Sequence, residues 1–338
     1  MVISKQREER LEHLRRSCLG LVVSLLGCST QGAATNVEPS RIEKSASAPS
    51  ADAASFQDAC RTMAEASCDL YLRCAPHFAR TTLGDRGRCV ATTSSDCHAR
   101  VTARGSLADS ADLGRCTAEL AKASCDAPFS ADEGCASPPG TLAEGEPCMF
   151  GTQCATKHCA RGRETTCGKC APEPRNGDPC SAERACSMRH FCFEGRCREV
   201  AKLRGACAAD GVAGAPACAD HASCYEGRCI RGAKEGEPCG TLEAPGPPCD
   251  SLAGLHCDVI VRKCQKIDVV GAGKRCGPLI PGQADCDVDS VCDVNAWVCV
   301  AKKKLGEPCT GSIFCASGAC TGNVCIDPYA VACSPSRK

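Results

Sequence analysis

Thirty-six cysteines in 338 residues constrain this chain more than anything else in it, and they come close to a period. The first cysteine of each later unit falls at Cys148, Cys180, Cys207, Cys239, Cys276 and Cys309, about thirty-two residues apart. So many thiols cannot be kept from one another or from metals in a reducing cytosol. The cysteines therefore read as a disulfide framework in an oxidising compartment. Aromatic residues are scarce (one Trp, three Tyr, seven Phe), so few side chains can each bury about 1.5–3 kcal/mol. Units of about thirty residues also lie below the size at which an apolar core suffices. Two bridges per unit, at about 2–4 kcal/mol each, supply the missing stability.

The amino terminus reads as an export signal over residues 1–27. Lys5, Arg7, Arg10, Arg15 and Arg16 form a positive segment that Glu8, Glu9 and Glu12 dilute. The apolar run Leu19–Leu26 follows, far short of the ~20 residues that span a bilayer. It leads into Leu25-Leu26-Gly27-Cys28, which resembles the lipobox of bacterial lipoproteins. That resemblance implies cleavage before Cys28 and acylation of its thiol. Leu26 stands where Ala or Ser is more usual in the family. Removing Cys18 with the signal and acylating Cys28 leaves thirty-four of the thirty-six cysteines, enough for seventeen bridges. The formal net charge is zero, and nothing in it points to nucleic acid or anionic lipid as a partner.

Residues 28–54 hold the Ser-, Ala-, Thr- and Pro-rich stretch expected of a disordered tether. Residues 55–136 read as a helical domain with eight cysteines: Cys60, Cys68, Cys74, Cys89, Cys97, Cys116, Cys125 and Cys135. Ser55 suits an N-cap ahead of Phe56, Cys60, Met63, Ser67, Leu70 and Cys74, which recur at three- and four-residue steps, and Pro76 ends that helix. A second helix is expected from Arg86 to Arg104 with Gly105 as its stop. A third is expected behind Ser110, with Leu113, Cys116 and Leu120 on one stripe. About four bridges would close a small antiparallel bundle.

From 141 to 338 the chain turns to Gly, Pro and Cys at turn spacing, as in GEPCMFGTQC, GDPCSAERAC, GEPCGTLEAP and GEPCTGSIFC. Units begin near 145, 177, 205, 236, 273 and 306. The first contains Cys148, Cys154, Cys159, Cys167 and Cys170. The next four are Cys180, Cys186, Cys192 and Cys197; Cys207, Cys218, Cys224 and Cys229; Cys239, Cys249, Cys257 and Cys264; and Cys276, Cys286, Cys292 and Cys299. The last holds Cys309, Cys315, Cys320 and Cys325, and Cys333 lies beyond it. The tails CFEGRC and CYEGRC put a Gly where a tight hairpin needs positive φ. The fold class is thus a small disulfide-rich one, an α-helical disulfide domain followed by an elongated array of about six β-hairpin modules. Four cysteines allow three connectivities. First-to-third with second-to-fourth is favoured because it ties the opening loop to both hairpin strands, and spacing leaves the choice open.

This arrangement of lipobox-like Cys28, polar tether, eight-cysteine helical domain and G-[ED]-P-C repeats resembles cysteine-rich lipoproteins of myxobacteria. The repeats are in turn similar to the Dickkopf amino-terminal cysteine-rich region and to epidermal-growth-factor-like modules. The resemblance implies the scaffold and not a ligand, since no binding residue matches beyond the cysteine frame.

Chemistry has little to stand on. Cys167-Gly168-Lys169-Cys170 is a lone C-x-x-C, whereas a zinc site wants two such pairs or His partners. Asp285, Asp287, Asp289 and Asp293 form a weak calcium candidate, but the stretch lacks the glycine and terminal Glu of an EF-hand loop. There is no G-x-S-x-G and no H-E-x-x-H. His77, His98, His158, His190, His221 and His256 are scattered singly, and no cofactor and no catalytic residue is expected. Lys302-Lys303-Lys304 reads as a solvated linker. The expectation is a cell-surface or periplasmic lipoprotein, held to the outer membrane by lipid on Cys28. It would act as a binding, adhesion or stalk module for an extracellular protein or glycan, without nucleic acid. The alternative is a protease-inhibitor-like secreted protein presenting Arg163 on the ARGRETT loop.

Overall fold

The computed structural model describes residues 51–126, 135, 137–161, 166–181, 186, 190–207, 218–219, 222–240, 245–278, 282–330 and 333. The chain divides into Met1–Ala48 and Pro49–Lys338, and every described residue belongs to the second unit. Cys28 and the expected export signal over residues 1–27 therefore lie outside the described residues.

Three helices begin the folded part: α1 (Ala51–Cys74), α2 (Arg86–Val101) and α3 (Ser110–Lys122). Helix α1 packs against both of the others. Cys60, Ala64 and Cys68 on its inner face are fully buried, and Leu70, two residues on, is nearly so. Bridges Cys60–Cys97 and Cys68–Cys89 rivet α1 to α2. Cys74–Cys125 and Cys116–Cys135 fasten α1 and α3 to the segment that follows them. The helix ends differ from expectation by a few residues. Ser55 lies inside α1 and caps nothing. Asp85 caps α2 by accepting from the Arg88 N–H. Asp109, one residue before the expected Ser110, caps α3, because only from there can it exchange hydrogen bonds with Asp112 in a capping box. Helix α2 stops at Val101, where both the N–H and the hydroxyl of Thr102 bond the His98 carbonyl. Between α1 and α2 the chain makes a helical turn at Pro76–Phe78 and a wider one at Ala79–Leu83.

Six cysteine modules follow, built on one plan. In all six the first cysteine bridges the third and the second bridges the fourth, the first module using Cys170 as its fourth. The third and fourth cysteines face each other across an antiparallel pair, as at Cys192↔Cys197, Cys224↔Cys229 and Cys320↔Cys325. Because each reaches away to a different cysteine, the crossing bridges pull the opening loop onto the hairpin. The fourth cysteine is at most 1% exposed in every module (Cys170, Cys197, Cys229, Cys264, Cys299, Cys325). Sulfur is the core here.

The G-[ED]-P-C signature explains itself in this geometry. The residue three before the first cysteine has positive φ: Gly145, Gly177, Arg204, Gly236, Gly273 and Gly306. Its N–H donates to the carbonyl of the fourth cysteine at 2.7–2.8 Å in all six modules. The next residue's carboxylate accepts a backbone N–H three positions back, Glu146 from Ala143, Asp178 from Arg175 and Glu237 from Lys234. Only the third module departs from the glycine, holding Arg204 at φ 68.

The joints between modules are also regular. The residue six before the first cysteine pairs in parallel with the second cysteine, at Leu142↔Cys154, Ala201↔Cys218, Ala233↔Cys249, Val270↔Cys286 and Lys303↔Cys315. The strand leaving one hairpin thus enters the next module's sheet almost at once. Lys302-Lys303-Lys304 is such a joint, a linker whose Lys303 and Lys304 side chains are exposed while its backbone is paired. Lys303 pairs with Cys315, and the Lys302 N–H bonds the Asp289 carbonyl at 2.8 Å.

The modules are those expected, but the row does not run out straight as an elongated array would. Cys167 of the first module bridges Cys333 of the tail, 166 residues on, so the row comes back to its start. The helices sit against both ends. Module one meets α2 and the residues behind it through Thr141 N–H to Gly105 O at 2.8 Å and Gln153 Nε2 to Arg104 O at 2.8 Å. Among the described residues, 34 cysteines form seventeen bridges and account for every cysteine beyond residue 50.

Candidate functional site

Docking the first module and the tail onto the helices leaves a cleft of about 560 Å³ between α1, α2, α3 and module one. Met63, Val101, Leu113 and Leu120 supply its apolar lining, and Asp96, Arg100, Asp112 and Lys157 its charges. These positions follow from the helical stripe that buries Leu113, Cys116 and Leu120. Thr152 also lines the cleft, and its hydroxyl oxygen is buried with no hydrogen-bond partner among the described residues.

One wall is braced by the tail. Asp96 accepts from Arg100 Nε and from the Tyr329 hydroxyl, both at 2.6 Å. Tyr329 stacks on Phe150 with ring centroids 6.3 Å apart, and the Arg100 guanidinium lies 5.3 Å from the Phe150 centroid. Burial pushes the Tyr329 hydroxyl well above the usual tyrosine range, and its bond to Asp96 adds to that. Burial also lowers Arg161, with the Arg100 charge next in effect. None of Asp96, Arg100, Phe150 and Tyr329 stood out in the sequence. Their only signal was a tyrosine in a chain that holds three.

A second polar cluster joins the helices to modules four and five. His77 is buried, and its Nε2 lies 2.8 Å from Asp285 Oδ2. A carboxylate only accepts, so that nitrogen carries the proton. The ring lies so close to Gly254 that a Cβ there would stand 2.6 Å from His77 Nδ1. The hydrogen bond from His77 holds Asp285 below the usual carboxylate range, against the opposing effect of burial. Arg88 Nη1 reaches Asp289 Oδ1 at 2.6 Å.

These contacts place the weak calcium candidate. Asp285 and Asp289 face His77 and Arg88, while Asp287 accepts the Asp289 N–H and Asp293 accepts from Asn295 and Ala296. The four carboxylates are engaged separately. Cys167 and Cys170 of the C-x-x-C go to Cys333 and Cys154. Sets of three sulfurs within 4.8 Å of one another, such as Cys148, Cys154 and Cys170, are members of two crossing bridges. Oxidised sulfur offers no thiolate to a metal. Of the remaining histidines, burial lowers the pKa of His158, while His98 and His256 each bury a ring nitrogen that has no hydrogen-bond partner among the described residues. His221, the Arg163 loop and Cys28 lie outside the described residues.

No helix among the described residues is long and apolar enough to cross a membrane. No protein-family model matches the chain, and neither a curated protein nor a solved structure matches it. What stands without comparison is a disulfide-rich, extracellular-type protein of cysteine repeats closed on a helical base.

Proposed function

We propose that this chain is an exported lipoprotein whose acylated Cys28 tethers a rigid binding module to the outer membrane or cell surface. One observation carries the reading. The thirty-four cysteines beyond residue 50 are all consumed in bridges with one another. The folded part therefore offers Cys28 no disulfide partner, and its thiol is left for the acyl chains that the lipobox-like Leu25-Leu26-Gly27-Cys28 implies. Two or more chains make such an anchor stable.

The ligand site best supported is the helical cleft, with its apolar lining and its charged edge. Walls held by disulfides lose little entropy on binding, which suits recognition of an extracellular protein or glycan. Detergent-phase partitioning of the expressed protein tests the anchor. Wild type is expected in the detergent phase and Cys28→Ala in the aqueous phase. A Cys28→Ala protein that still partitions with detergent would remove the anchor from the account.

A further inference from the structure

The six hairpins do not end alike. Modules two, three and six turn on two residues of positive φ, Glu194-Gly195, Glu226-Gly227 and Gly322-Asn323. Such turns are small and polar, as type I′ hairpin turns are. Modules four and five share a different tip, Cys257-Asp258-Val259-Ile260-Val261-Arg262 and Cys292-Asp293-Val294-Asn295-Ala296-Trp297. In each, the aspartate carboxylate accepts the N–H groups two and three residues on, Ile260 and Val261 in one and Asn295 and Ala296 in the other. The fourth residue then donates to the aspartate carbonyl, Arg262 at 2.8 Å and Trp297 at 2.6 Å, and takes a φ of 51 or 54.

That bracing is complete without apolar side chains, and polar residues would leave the tips better solvated. Yet Val259, Ile260 and Val261 are 68%, 70% and 52% exposed, and Val294 and Trp297 are 65% and 42% exposed. Cations flank both tips. Arg262 and Lys263 follow the first. Lys274 and Arg275 lie beside the second, where Arg275 pairs with Val298 across the strands. Among the described residues none of these four cations pairs with a carboxylate. The aspartates of the tips are turned inward onto backbone N–H groups. Apolar residues on a rigid projection, flanked by Lys and Arg and with the half-exposed Trp297 lying against Gly277 beside them, are the pattern of a membrane-interface contact. A protein groove would accept the valines but gives no reason for the surplus of positive charge. Anionic headgroups do.

We propose that the tips of modules four and five are membrane-contact loops. They dip Val259, Ile260, Val261, Val294 and Trp297 into the headgroup region of an anionic bilayer, with Arg262, Lys263, Lys274 and Arg275 on lipid phosphate. The contact does not rest on acylation, so its failure and that of the anchor are separable. The test uses full-length Cys28→Ser protein, which carries no acyl chain, and vesicles of phosphatidylcholine with phosphatidylglycerol. Trp297 is the only tryptophan in the chain, so its emission reports the contact directly. Its fluorescence is expected to shift to the blue on adding vesicles, and the protein to sediment with them. Ile260→Asp and Val294→Asp, both at exposed sites, should each weaken binding about tenfold or more. Added salt should weaken it further. No blue shift and no sedimentation, or binding that both aspartate variants leave unchanged, would overturn the proposal. So would equal binding to vesicles of phosphatidylcholine alone.

Discussion

The helices and the hairpin modules are both cross-linked, but the bridges do different work in the two regions. In the helices, Cys60, Cys68, Cys97 and Cys116 share the interior with Ala64, Leu70, Leu113 and Leu120. There the bridges reinforce an apolar contact that the helical stripes already specify. In the modules the crossing bridges replace that contact. The buried set of module six consists of Cys309, Cys315 and Cys325 alone, whereas module one adds Leu142, Met149 and Phe150 to its cysteines where it meets the helices. A chain with few large apolar residues can therefore build a base that tolerates loss of a bridge. It can add modules that do not tolerate it.

Full reduction should show this contrast most strongly. Amide exchange is expected to lose protection across every hairpin, at about 2–5 kcal/mol per bridge, while α1 to α3 keep much of their helical circular dichroism. Helices lost together with the hairpins would erase the distinction. Next in size, Leu70→Ala should destabilise the helices by about 2–5 kcal/mol in a denaturant melt, leaving hairpin protection unchanged. Opening the ring with Cys167→Ala and Cys333→Ala should cost about 2 kcal/mol. That is less than the roughly 5 kcal/mol loop-entropy ceiling, because the other bridges already shorten the loop. Small-angle scattering should report a larger radius with the modules intact.

Within the row, Arg204→Gly tests the positive-φ position that five modules fill with glycine. It should stabilise module three by about 1 kcal/mol, since a bulky residue is strained there. The smallest effect expected is at the contact between His77 and Asp285. Asp285 titrates below its unfolded value, so its contribution is complete above the usual carboxylate pKa of about 4. That contribution is lost as pH falls through the lower, folded value. Melting temperatures of wild type and Asp285→Asn should therefore differ at neutral pH by an amount worth within about 1 kcal/mol, and converge in acid.

The hairpin frame was legible because spacing, turn glycines and crossed pairing all express one local geometry. The helices were legible from their stripes, but their ends were not. A Ser beside an Asp gives no hint of which will find the reciprocal partner that Asp109 has in Asp112. Closure of the row was half visible. The first unit held a fifth cysteine and Cys333 lay beyond the last unit, but nothing local could say that it is Cys167 that meets Cys333 across 166 residues. The acidic stretch was legible as a cluster of carboxylates, but its contacts were not. Its partners His77 and Arg88 lie about two hundred residues earlier, where no local pattern points to them. The cleft was illegible for the same reason, being made where distant segments dock.

Peptide mapping of the non-reduced mature protein by mass spectrometry tests the central claim most directly. The account predicts a Cys167–Cys333 linked pair, first-to-third and second-to-fourth bridges in every module, and an amino-terminal Cys28 peptide carrying acyl mass. Cys167 joined within its own module, or Cys28 found in a disulfide, would contradict it.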